Sequence, residues 1–183
     1  MDETAANIIA RETALADFDH ARDDFVDAME QVPDEAIDYK PDGEDYTLGY
    51  LVPHVAGSIS MYSTVLDMMR DAQYEEVRLA AMPDEVAQIN HRYESRLAVP
   101  LRAEARLQDL EELEELHDRL ASRLRDLAHQ DYGRPSAVFY PGAGEAYPTR
   151  ASDIIGWLTD HYREHAKQVT ELLEAWKQTR TEC

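Results

Sequence analysis

Two histidines four residues apart, His161 and His165, interrupt the apolar face of the last helical segment. Spacings of three and four residues keep this face on one side of a helix. Its members are Ile154, Leu158, His161, His165, Val169, Leu172 and Trp176. A buried imidazole is stable only when its ring nitrogens have partners. Two imidazoles at positions i and i+4 can share one metal ion, and we favour this interpretation over a pair of hydrogen-bonded core histidines.

A third histidine, His54, stands in the apolar segment from Leu48 to Met69. It lies at the edge of the helical face of this segment, so its ring can point into a space between helices. Pro53 lacks a backbone N–H, so it either kinks the helix or belongs to its first turn. His54 is therefore the best candidate for a third metal ligand.

Three further polar residues are candidates for the same pocket. His117 lies between leucines on a helix face, where it is a core histidine with satisfied nitrogens, a fourth ligand, or the partner of a ligand. Arg22 lies on the apolar face of the first helix, where it either binds a carboxylate of a ligand or pairs with an acidic neighbour. Glu164 lies about 60° around the helix from His161, either at the edge of the site or in solvent.

Composition argues against several classes of protein. The chain has 38 acidic and 18 basic residues, a formal net charge of -20, and no basic stripe, so we expect no nucleic-acid partner. It has no apolar run long enough for a membrane span and no secretion signal, so we expect no membrane partner and a cytoplasmic location. Cys183 is the only cysteine, which excludes an internal disulfide and a cysteine-based zinc site.

The elements that must position these residues form one all-α domain over residues 1–183. We predict helices from about Thr4 to Gln31, from an N-cap at Thr47 to Arg70, from about Leu101 to His129, and from Thr149 onward. Residues 34–46 and 130–148 are predicted as loops. Residues 71–100 are predicted as irregular or partly helical, and this length permits a crossover between helices two and three. Whether this connection covers the pocket or builds a dimer contact is open.

The order of these motifs resembles the DinB/YfiT-like superfamily. The motifs that carry the resemblance are Thr47-Leu-Gly-Tyr-Leu-Val-Pro-His54, His161-x-x-x-His165 and the stretch between helices one and two. The resemblance spans Arg22 to Trp176, with Tyr46 where the family often has tryptophan. It implies a four-helix bundle of atypical connectivity and one divalent metal, usually zinc or nickel, held by His54, His161 and His165. It also implies a homodimer.

The resemblance implies an activity as well, because characterised relatives are thiol S-transferases that use bacillithiol or mycothiol, including maleylpyruvate isomerases. We therefore expect a metal-dependent enzyme that transfers a low-molecular-weight thiol to a small electrophile, with the metal lowering the pKa of the thiol. One alternative is a metal-dependent hydrolase in which Glu164 or His117 moves protons. Another is a non-catalytic stress-response or binding bundle in which the metal, or only the histidine cluster, is structural.

Overall fold

Helices make up most of the fold. The computed structural model describes residues 3–44, 46–79, 83–97 and 103–181, without the side chains of residues 3–7, 90, 93–97 and 103–105. The long helices in this part of the chain are α1 (Glu3–Glu30), α2 (Leu51–Asp71), α4 (Ala103–Arg125) and α6 (Ala151–Thr181). Shorter helices are α3 (Asp84–Leu97) and α5 (His129–Tyr132), and the strands are β1 (Glu76–Arg78), β2 (Ser136–Phe139) and β3 (Tyr147–Thr149).

The four long helices form the predicted bundle. The first helix, α1, packs mainly against the last helix, α6, whereas α2 packs against α4 and α3 and also contacts α6. The connection between α2 and α4 contains β1 and α3, so the long segment predicted there is partly helical. Leu101, where we placed the start of the third helix, lies outside the described residues. None of the described helices is long and apolar enough to cross a membrane.

Apolar side chains at helical spacing explain why α1 packs against α6. Leu15, Phe18, Phe25 and Met29 recur every three, four or seven residues and are almost completely buried. The rings of Phe18 and Phe25 contact the ring of Tyr162 on α6, with centroid distances of 5.7 and 5.8 Å. Burial of each such side chain contributes about 1.5–3 kcal/mol to the free energy of unfolding.

A small three-stranded sheet was not predicted from the sequence. Strand β2 lies in the middle, parallel to β1 and antiparallel to β3. Val77 pairs with Val138 at its centre, and both side chains are buried in the core. Each strand has only three or four residues, so none is long enough for an alternating pattern to identify it. Strand β1 thus lies in the connection predicted as irregular or partly helical (residues 71–100), and β2 and most of β3 lie in the loop predicted over residues 130–148.

The start of α2 resolves the two interpretations of Pro53. Thr47 is the predicted N-cap, and its hydroxyl accepts a hydrogen bond from the backbone N–H of Tyr50 at 3.3 Å. A 3-10 turn from Leu48 to Tyr50 leads into α2. Pro53 thus lies in the first turn of α2, where a backbone N–H has no partner within the helix. The first-turn interpretation is correct, and His54 follows directly on this turn.

Candidate metal centre

Three imidazoles from two helices meet at one point. His54 lies on α2, and His161 and His165 lie one turn apart on α6. One ring nitrogen from each of the three lies within 4.8 Å of the others. The ring centroids are 5.0 Å apart for His54 and His161, 4.9 Å for His54 and His165, and 4.4 Å for the pair on α6. The structure therefore brings together the three histidines that the sequence analysis selected as ligand candidates.

Residues around the centre hold His54 and His161 in place. Tyr46 stacks on the ring of His54, with centroids 4.7 Å apart and an interplanar angle of 29°. The hydroxyl of Ser58 donates a hydrogen bond to the carbonyl oxygen of His54 at 3.2 Å. The hydroxyl oxygen of Ser58 also lies 3.1 Å from Nε2 of His161, so Ser58 connects the two ligand helices.

His165 has a different kind of contact, made through a side-chain amide. Its Nδ1 lies 2.8 Å from Oε1 of Gln168, one turn further along α6. The Nε2 group of Gln168 donates to Oε2 of Glu44 at 3.1 Å. Glu44 lies in the segment between α1 and α2, so a hydrogen-bonded chain of three residues joins this segment to the centre.

Burial keeps two of the imidazoles neutral. It lowers the pKa of His54 from 6.5 to about 4, and the neighbouring His165 adds to the effect. The pKa of His161 is also lowered to about 4, by burial and then by His165 and His54. A neutral imidazole carries the nitrogen lone pair that a metal ion needs. The donor set thus fits a divalent metal that accepts nitrogen ligands, such as zinc or nickel.

These pKa values predict acid sensitivity of the metal-free protein. A histidine whose pKa is lowered by folding binds more protons in the unfolded chain, so its contribution to stability is lost as the pH falls from about 6.5 towards 4. We expect the melting temperature of the chelated protein to fall through this window. Circular dichroism melts at pH 7 and pH 4.5 measure it, and His54→Gln/His161→Gln is the control. An equal fall in the melting temperature of the control variant would contradict the attribution of this acid sensitivity to His54 and His161.

A cavity of about 410 Å³ adjoins His165. Its lining includes Gly43, Glu44, Tyr46, Glu164, His165, Lys167, Gln168 and Glu171. Glu164 is exposed to solvent at this cavity, so it lies at the edge of the site. The ammonium group of Lys167 is 3.3 Å from the carboxylate of Glu171, one turn along the helix. The cavity can admit a small molecule to a position beside the histidines.

His117 lies in a separate, fully buried contact group. Its Nε2 is 2.9 Å from Oδ1 of Asp19, its Nδ1 is 3.3 Å from the hydroxyl of Tyr162, and its ring stacks on Phe18 at 4.1 Å. Burial lowers its pKa, and the hydrogen bond to Asp19 opposes that effect. These contacts satisfy both ring nitrogens and include none of the three site histidines. Of the interpretations left open, the core histidine agrees best with this geometry.

Arg22 does not reach the centre through any described contact. Its guanidinium group lies 2.7 Å from Asp23 and 3.2 Å from Asp118 on α4. This is the pairing with acidic neighbours that was the alternative to ligand binding.

Four residues at the centre were not selected from the sequence: Glu44, Tyr46, Ser58 and Gln168. Helical spacing could have indicated two of them, because Ser58 follows His54 by four residues and Gln168 follows His165 by three. Nothing comparable points to Glu44 and Tyr46, which reach the site through an irregular segment.

Sequence comparison places the chain in a family. The profile of the DinB superfamily matches residues 17–169, and the chain belongs to this superfamily. The match includes all three site histidines and agrees with the resemblance drawn from the motifs around them. No curated protein matches the chain significantly.

Three solved structures have the same fold. YfiT from Bacillus subtilis, described as a probable metal-dependent hydrolase with an unusual four-helix bundle topology, has a TM-score of 0.69 at 20% identity, over 91% of this chain and 87% of YfiT. A Streptococcus pneumoniae protein has a TM-score of 0.59 at 14% identity, over 92% and 90%. The colibactin self-resistance protein ClbS, in complex with double-stranded DNA, has a TM-score of 0.60 at 10% identity, over 90% and 95%.

The ClbS complex corrects one expectation from composition. We predicted that the net charge of -20 excludes a nucleic-acid partner, and this exclusion is wrong, because a protein with this fold is found on duplex DNA. The physical reason is that net charge is summed over the whole molecule, whereas DNA contacts depend on the charge and shape of a local surface. The comparisons also do not show the homodimer that the resemblance implied.

Proposed function

We propose that this protein is a divalent-metal-dependent enzyme whose metal is held by His54, His161 and His165. The observation that carries this proposal is the convergence of three imidazole nitrogens within 4.8 Å beside a cavity with an exposed rim. Three neutral nitrogen ligands leave coordination positions for water or substrate, which is typical of catalytic rather than closed structural sites. Zinc and nickel are the metals we propose, because both accept imidazole.

The first candidate reaction is the transfer of a low-molecular-weight thiol to a small electrophile in the cytoplasm. A bound divalent metal lowers the pKa of a thiol or of a water molecule in an adjacent position. The thiol would lose its proton to water, and its sulfur would then form a bond to the electrophilic carbon while the bond from that carbon to its leaving atom breaks. The leaving atom would keep the electron pair of the broken bond and take up a proton from water. The adjoining cavity, of about 410 Å³, has the size of a small-molecule site and would hold the thiol and the electrophile near His165. The resemblance to thiol transferases of this superfamily supports this candidate.

The second candidate reaction is hydrolysis, and the position of Glu164 favours it. Its carboxylate lines the same cavity as His165, where it could accept a proton from an attacking water molecule. The similarity in fold to YfiT, described as a probable metal-dependent hydrolase, also supports this candidate.

A turnover screen separates the two reactions. Zinc- or nickel-loaded protein is incubated with small electrophiles, with or without bacillithiol, mycothiol or glutathione, and separately with esters, amides and duplex DNA. If the protein is a hydrolase, Glu164→Gln should lower kcat about 10²–10⁴-fold without changing metal content, because a general base is lost. If it is a thiol transferase, turnover should require thiol and change little in this variant.

Glu171→Gln is the matched control, because Glu171 lies at the same cavity on the same helix and pairs with Lys167. Equal losses in both variants would indicate a general effect of surface charge and contradict a role as base for Glu164. Metal-loaded protein that is inert with every thiol and in every hydrolysis assay would contradict the enzyme proposal. It would leave the non-catalytic bundle as the assignment.

A further inference from the structure

We infer that Glu44 and Gln168 are positioning residues that hold His165 in the one tautomer able to present Nε2 to the metal. This inference rests on the proposed function, because it concerns the same metal centre. It follows from which of three hydrogen-bonded groups can donate and which can accept: the carboxylate of Glu44, the amide of Gln168 and the imidazole of His165.

The carboxylate of Glu44 determines the orientation of the Gln168 amide. An ionised carboxylate accepts hydrogen bonds and cannot donate them. The group of Gln168 that lies 3.1 Å from Oε2 of Glu44 must therefore be the NH₂ group. The amide oxygen of Gln168 is then directed to the other side, towards His165.

The amide oxygen in turn determines the tautomer of His165. This oxygen is an acceptor only, and it lies 2.8 Å from Nδ1 of His165. A neutral imidazole has a single N–H, so the hydrogen must be on Nδ1. Nε2 is left with its lone pair and is the only nitrogen of this ring that can bind a metal. The contact also restricts the rotation of the ring, since the side chain of His165 is only 6% exposed.

The other two site histidines have no comparable determinant among their described contacts. Ser58 carries a hydroxyl with one hydrogen that can rotate: while it donates to the carbonyl oxygen of His54 its oxygen accepts from Nε2–H of His161, and after rotation it can donate to Nε2, so this contact does not hold one tautomer. Tyr46 contacts His54 through its ring face, which specifies the plane of the imidazole and not its tautomer. Among the described contacts of the three histidines, the hydrogen bonds from Glu44 through Gln168 to His165 are thus the ones that specify a single tautomer.

The segment between α1 and α2 therefore contacts ligands on both helices. Tyr46 packs on His54 of α2, and Glu44 reaches His165 of α6 through Gln168. Outer partners of metal-bound histidines typically contribute 10–100-fold to metal affinity. We assign that contribution at this centre to the Glu44–Gln168 pair.

The test measures the tautomer and the metal affinity separately. Nitrogen-15 NMR of the histidine rings in metal-free protein reports the tautomer of His165, and titration with zinc alone reports affinity. In the wild type we expect the Nδ1–H tautomer. In Gln168→Leu we expect its loss and a decrease in zinc affinity of about 10–100-fold. Gln178→Leu, an exposed site near the end of α6, is the matched control and should change neither measurement.

An exchange of the two side chains gives a sharper test. Gln168→Glu alone places two carboxylates against each other, and Glu44→Gln alone no longer forces the orientation of the amide. In the double variant Glu44→Gln/Gln168→Glu, the carboxylate at position 168 accepts from Nδ1–H of His165 and the amide at position 44 donates to it. We expect the double variant to recover most of the zinc affinity that Gln168→Glu loses.

Two results would overturn the inference. One is a Gln168→Leu protein that keeps the Nδ1–H tautomer, and the other is one that loses this tautomer but binds zinc as the wild type does. Failure of the proposed function is distinguishable, because a wild type that takes up no zinc would still show which tautomer His165 adopts. Melting curves verify that each variant is folded.

Discussion

His161→Ala should purify almost without metal, whereas the wild type should carry about one zinc or nickel ion per chain. Loss of the imidazole leaves two nitrogen ligands, His54 and His165, on different helices. Even the loss of an outer partner of a ligand costs 10–100-fold in metal affinity, so loss of a ligand should cost at least about 100-fold. Mass spectrometry of the untagged protein measures the metal content, and titration with zinc measures the affinity. We expect the same result for His54→Ala.

His20→Ala is the control for this prediction, because His20 is an exposed histidine on α1. It should retain the full metal content. A His161→Ala protein with wild-type metal content would contradict the three-histidine site. A wild type that is metal-free and takes up neither zinc nor nickel would remove the enzyme proposal and leave a helical binding module that contains histidines.

His117→Ala should lower the free energy of unfolding by about 3 kcal/mol and leave the metal content unchanged. The substitution removes a fully buried ring that stacks on Phe18 and leaves the hydroxyl of Tyr162 without this partner. Asp19 keeps its contact with Arg125 at 2.9 Å, so the cost is below that of leaving a carboxylate with no partner. Urea denaturation measures the change in stability, and mass spectrometry measures the metal.

Tyr162→Phe is the matched variant, because it removes only the hydroxyl and keeps the ring that packs on Phe18 and Phe25. Its cost should be about 1 kcal/mol, the value of one hydrogen bond. A His117→Ala protein of normal stability that has lost its metal would show that His117 belongs to the metal centre after all.

The bundle and the histidine cluster could be predicted because the residues that form them recur in the sequence at the three- and four-residue spacing of a helix face. Buried residues such as Phe18 and Phe25 recur at intervals that specify one face of a helix, and the structure confirms that face. His161 and His165 follow the same spacing, so their common direction was evident. To predict His54, a third ligand had to be chosen from the other histidines of the chain. Its place at the edge of an apolar helix face was sufficient for that choice.

The remaining features depend on contacts between distant parts of the chain. Val77 and Val138 form a strand pair across 61 residues, and neither strand is long enough to show a period. Glu44 reaches Gln168 through an irregular segment whose path no periodicity describes. Arg22 lies at the helical spacing of a buried residue, but its long side chain reaches back to acidic groups at the surface. Helical spacing places a Cα atom on a face and does not specify where a flexible side chain ends.

The small sheet joins the two helices that carry the ligands, at a distance from the metal centre. Strand β1 follows the C-terminus of α2, and β3 ends immediately before α6 begins. His161 lies about 15 Å along α6 from Ala151, at 1.5 Å per residue. A rotation of α6 about its sheet end would move His161 by about 0.3 Å per degree at that distance. Metal-ligand distances lie within about 0.2 Å of their ideal values, so a tilt of about one degree at the sheet would already exceed that range. The pairing of three short strands therefore adds to the packing of α6 against α1 and α2 in holding the ligands in position.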